Sequence, residues 1–186
     1  QDQFHWVKAI DEPIVLFLGR VTFQKGPDYF LEAAARVVRV QPRVKFVISG
    51  AHSAQVYGNW TNNGTDSLVN GFVFFTGTAD AAIGGDSATA FWRLRVTKDA
   101  LARTVTLNQP VTCAYPGAGA LAMTRGTLLT NGRDLTVSAT NARVEGDSTG
   151  KLAVTGSSTV NVYYLNQQRL RYVNISGTPT VNITNR

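Results

Sequence analysis

Two cations share one short turn near the start of the chain. Arg20 follows Gly19 at the end of an apolar run, and Lys25 stands in Gln24-Lys25-Gly26, directly before Pro27. Cations at the carboxyl end of a parallel strand, beside a helix N-terminus, make a local anion site. The plain alternative is a pair of solvated loop charges. Elsewhere the residues that could do chemistry are scattered. His5 and His52 have no Ser, Cys or carboxylate at useful spacing, although His52 follows an apolar run closely enough to assist an anion site. Asp80, Asp86, Asp134, Glu145 and Asp147 sit among turn residues, where a carboxylate usually bonds its own backbone. No catalytic constellation and no metal-ligand spacing emerges, and no cofactor is implied.

The elements that must position the Arg20–Lys25 turn are legible. Ile14 to Leu18 is a short unbroken apolar run, as in a strand buried on both faces. Pro27 suits the first turn of a helix. Tyr29, Phe30, Ala33, Ala34, Val37 and Val38 then recur at helical spacing, and Pro42 stops the pattern. Val44 to Ile48 is a second β-branched run closed by Ser49-Gly50. Strand, helix and strand in this length predict a βαβ unit.

The stretch FLGRVTFQKGPDYFLEAAARV, followed by VKFVISG, resembles the start of the C-terminal nucleotide-sugar-binding domain of family 4 GT-B glycosyltransferases, glycogen synthases included. The resemblance rests on Gly19-Arg20 and Gln24-Lys25-Gly26. It implies a nucleotide-phosphate site formed by Gly19, Arg20, Lys25 and Gly26, in which Arg20 and Lys25 contact the diphosphate of a nucleotide sugar. It fades near Gly50, or at the latest near Gly77. The later pair of glutamates that such a domain uses on the donor has no counterpart, because Glu145 is the only Glu between Ala51 and Arg186. The chain of 186 residues is also too short for the two Rossmann-like domains of a complete GT-B enzyme.

After Gly50 the composition changes. Residues 51–67 are rich in Gly, Asn, Ser and Thr and read as a loop or linker. Residues 68–186 carry short alternating runs, with Leu94 and Val96 opposite Arg93 and Arg95, and predict a sandwich, a barrel or an irregular solenoid. Asn131-Gly132 between two such runs predicts a β-hairpin. Trp92 reads as a core residue in strand alternation. Tyr57 and Trp60 are the aromatic candidates for stacking on a sugar. Asn-X-Ser/Thr sequons stand at Asn59, Asn63, Asn174 and Asn182. Residues 179–184 form a candidate edge strand for self-association. The fold class is therefore α+β, mainly β: a βαβ segment over 1–50 followed by a β-rich domain.

The formal charge is +6, without a dense basic cluster, which argues against a nucleic-acid partner and leaves acidic polymers open. Cys113 is alone, so no intrachain disulfide exists, and a small buried hydrophobe is its expected role. No run is long enough to span a membrane as a helix. The leading expectation is a non-enzymatic structural or binding module, extracellular or at a surface, contacting an assembly partner or a glycan. One alternative is a reduced glycosyltransferase-like domain that binds a nucleotide diphosphate sugar. Another is a fusion of unrelated pieces.

Overall fold

The structure, a computed structural model, describes residues 13–18, 27–41, 43–49, 53–64, 71–166, 170 and 172–185. The chain divides into two compact units, Gln1–His52 and Ser53–Arg186.

The first unit has the expected βαβ order. Strand β1 (Ile14–Leu18) leads to helix α1 (Pro27–Val40) and then strand β2 (Lys45–Ser49). The strands pair in parallel, from Ile14 on Lys45 to Leu18 on Ser49. Pro27 opens the helix, where its missing N–H has no intrahelical partner to lose. The Gln41 N–H donates to the Val37 carbonyl at 2.8 Å, and the chain leaves the helix just before Pro42. The buried stripe is narrower than the sequence predicts. Phe30, Ala34 and Val37 are half-buried, whereas Tyr29, Ala33 and Val38 are exposed. Spacing of four and three residues confines the contact to one line along the helix.

The second unit is a parallel β-solenoid with three faces. On the first face run β3 (Ala54–Val56), β5 (Phe72–Gly77), β8 (Arg93–Lys98), and the leading halves of β11 (Leu121–Leu129) and β13 (Arg143–Gly156). The second face holds β4 (Trp60–Thr61), β6 (Ala81–Gly84), β9 (Thr104–Leu107), the trailing halves of β11 and β13, and β15 (Tyr172–Gly177). The third holds β7 (Thr89–Phe91), β10 (Val111–Cys113), β12 (Leu135–Val137), most of β14 (Thr159–Leu165), and β16 (Thr180–Asn185), while Tyr164 and Leu165 of β14 pair with Arg143 and Val144 on the first face. Every pairing among the described residues is parallel, so each strand finds its partner one coil away.

The period of two places alternate residues inside. Val73, Phe75, Leu94, Val96, Leu121 and Met123 fill the core from the first face, with Ile83, Val105 and Leu107 from the second and Phe91, Val111 and Leu135 from the third. Phe91 ties faces together: its ring meets Trp60 edge-on at 5.3 Å and Phe75 at 6.5 Å. Polar side chains join successive coils. Asp80 Oδ1 accepts from the Thr104 N–H at 2.8 Å, and Asp134 Oδ1 from the Thr159 N–H at 2.7 Å. These aspartates thus serve the next coil and not their own backbone.

Three sequence expectations change. The hairpin at Asn131-Gly132 is absent: β11 pairs with β8, β9 and β13, while β12 pairs with β10 and β14. Both turn residues do have positive φ, 53° and 75°, but here they turn the chain from one face to the next. The segment read as loop or linker carries β3 and β4. Trp92 is a half-buried bend residue, stacked edge-on against Tyr115 at 5.6 Å, because β7 ends at Phe91 and inward alternation restarts only at Leu94.

Candidate functional site

Strand β1 ends at Leu18 opposite Ser49, the end of β2, so both carboxyl ends lie on one edge of the pair. Helix α1 begins at Pro27. Leu18 thus ends at the carboxyl edge and Pro27 begins a helix, whose N-terminus carries partial positive charge that favours an anion. The positions of Gly19, Arg20, Lys25 and Gly26 lie outside the described residues, as do His5 and His52. What the structure describes is the frame around the turn.

The other sequence candidates fall in the solenoid. Tyr57 is 64% exposed and donates from its hydroxyl to Gln55 Oε1 at 2.8 Å, leaving its ring on the surface. Trp60 is half-buried and packs on the core through Phe91. The four sequon asparagines have distinct settings. Asn59 Oδ1 accepts from the Ala82 N–H at 2.9 Å and Asn63 Oδ1 from the Asp86 N–H at 3.1 Å, so both link coils. Asn182 Nδ2 donates to Asn161 Oδ1 at 2.8 Å in a ladder across β14 and β16. Asn174 borders an open groove of about 610 Å³ on the second face, together with Thr104, Thr127, Lys151, Thr155 and Ser176.

Cys113 is fully buried, and desolvation pushes its thiol up to about 12. It behaves as a core hydrophobe. Lys98 continues the inward row of Leu94 and Val96 and is only 2% exposed. Its ammonium donates to the Thr76 carbonyl at 2.8 Å. Burial lowers its pKa, and the neighbouring Asp80 and Asp99 oppose that shift. Alternation in FWRLRVTK places Lys98 inside, but nothing in the string distinguishes it from the outward cations Arg93 and Arg95. Among the described residues no group of three or more His, Cys, Asp or Glu side chains could hold a metal ion. No helix among them is long and apolar enough to cross a membrane.

Comparison with known proteins bears on the first unit. The family model described as glycosyl transferases group 1 matches residues 1–81. Over 40 residues the chain is 48% identical to an alpha-D-kanosaminyltransferase of Streptomyces kanamyceticus, a stretch that covers 22% of this chain and 10% of that protein. The chain thus spans about a tenth of the length of that curated relative. No solved structure matches the chain. The N-terminal segment accordingly resembles group 1 glycosyltransferases, and the family match runs past the βαβ unit to β6. These matches overturn the leading expectation of a non-enzymatic structural or binding module. They favour the alternative, a reduced glycosyltransferase-like domain.

Proposed function

We infer that the N-terminal unit binds the diphosphate of a nucleotide sugar in the manner of a glycosyltransferase group 1 domain. The observation that carries this reading is the agreement of two independent features. A family match covers residues 1–81, and a parallel β1–α1–β2 unit frames the turn that bears the motif. In this reading Arg20 and Lys25 supply the cations, Gly19 and Gly26 let the backbone approach the phosphates, and the start of α1 adds N–H donors. Transfer of the sugar is a property of a whole two-domain enzyme, and this reading concerns only its donor-binding portion.

Calorimetric titration with UDP and ADP at low salt tests the assignment. Saturable binding is expected. Arg20→Ala and Lys25→Ala should each weaken it by about tenfold to a hundredfold, the ordinary loss for a hydrogen bond to a charged group. Binding that survives both substitutions, or no heat at millimolar nucleotide, removes this reading.

A further inference from the structure

The outward side of the first solenoid face carries arginines that form no ion pair among the described residues. Arg93 and Arg95 alternate with the buried Leu94 and Val96 on β8, so both guanidiniums lie on the outer surface. Neither forms an ion pair among the described residues. The Nε of each is buried and has no hydrogen-bond partner. Aromatic rings hold them instead. The Arg93 guanidinium lies 3.3 Å from the Tyr115 ring centre and 4.5 Å from that of Phe72. Arg95 lies 5.5 Å from Phe72 and from Phe74. With Nε buried, only the terminal Nη–H groups of such a stacked guanidinium can meet a planar anion, and their orientation is set before the ligand arrives.

The array continues along the solenoid. Arg143 on β13 stands at the same register position as Arg93 on β8, with the fully buried Ala120 between them, and its guanidinium sits 5.5 Å from the Tyr164 ring. Strand spacing places these two cations about 10 Å apart along the axis. The surface is a sheet face, whereas small ligands fill concave pockets. An extended polyanion fits a row of cations on a flat face. The rings are capped by guanidiniums and do not offer free platforms for stacking bases, which single-stranded nucleic acid would use. Two acidic residues share this face, Glu145 and Asp147 on β13. A side-chain carbon added at Gly119 would lie 3.9 Å from Glu145 Oε2 and 4.0 Å from an Arg95 terminal nitrogen, so Glu145 stands close to the Arg95 end of the row.

We propose that this face, built on Arg93, Arg95 and Arg143, binds an acidic polysaccharide through its carboxylates. This proposal rests on the second unit alone and does not depend on the nucleotide-sugar reading of the first. The full chain is titrated with polygalacturonate, with neutral dextran and an oligothymidylate as comparisons. Polygalacturonate should bind, weaken as salt rises, and lose about tenfold or more in Arg93→Lys and again in Arg95→Lys, since lysine keeps the charge but not the planar fork. Glu145→Gln should change affinity in the opposite direction and strengthen binding. UDP binding should be the same in all three variants. No binding of polygalacturonate, affinity unchanged in both arginine variants, or a stronger response to oligothymidylate would each overturn the assignment. A loss in the lysine variants with Glu145→Gln unchanged would also overturn it, since that pattern reports a structural role for the arginines.

Discussion

Two buried titratable groups act on stability in opposite directions. The Cys113 thiol is raised to about 12 in the folded chain, so between its ordinary range and that value the folded state holds a proton that the unfolded state has released. Stability should fall as pH climbs from about 9 towards 12. Lys98 is lowered, so below its ordinary value the unfolded state holds the extra proton, and its contribution rises with pH until that value is passed. Urea unfolding of the parent and Cys113→Ala across this range separates the two. The difference between them should grow in the variant's favour as pH rises. In the native chain Cys113 should resist an aqueous thiol reagent at pH 8 and react once denatured, because the thiolate is the reactive form and the site is closed.

Along the elements, the corner between the first and second faces is made inside continuous strands. Pairing of β11 with β13 shifts register between Met123 and Arg125, and Gly150 of β13 lies against that shift. A side-chain carbon at Gly150 would fall on the Met123 carbonyl, which is backbone and cannot swing away. Gly150→Ala should therefore cost about 3 kcal/mol or more in equilibrium unfolding. Gly132 offers a contrast. It has a φ of 75° with open space around it, so Gly132→Ala should cost only the left-handed backbone penalty, about 1–2 kcal/mol. Equal costs at the two sites would contradict this account. The same elements show how far the sequence could be read. The helix, alternating strands such as β8 and β9, and the turn at Asn131-Gly132 follow from local rules, because alternation, Pro27 and positive-φ residues act within a few neighbours; the short strands β3, β4 and β10 do not show themselves this way. Partner choice does not. Bridging hydrogen bonds join residues 21 apart at Asn161–Asn182 and 28 apart at Thr124–Val96. With coil length this variable, no fixed repeat exists to betray the solenoid, and the tight turn signals a hairpin and a corner equally well. The Arg93–Tyr115 contact was hidden for the same reason, since the loop that carries Tyr115 gives no local sign of folding back over β8.

The whole molecule joins two units of unequal self-sufficiency. Residues 53–186 contain the entire buried cluster around Phe75, Leu94, Leu121 and Leu135. Expressed alone they should keep the β-type circular dichroism of the full chain and melt cooperatively. A 1–52 piece is near the lower size limit for independent folding and should not. Failure of 53–186 to fold alone would contradict this account. In a parallel solenoid each coil touches only the coils above and below, so nothing resembling ring closure fixes how many there must be. Length is then a discrete coordinate, advancing by about 4.8 Å per coil. Duplicating the coil that bears Arg93 and Arg95 would extend the row of cations by one rung while leaving every other rung in its own surroundings. Reach along a polymer could thus be lengthened or shortened by whole coils, without redesign of the coils that remain.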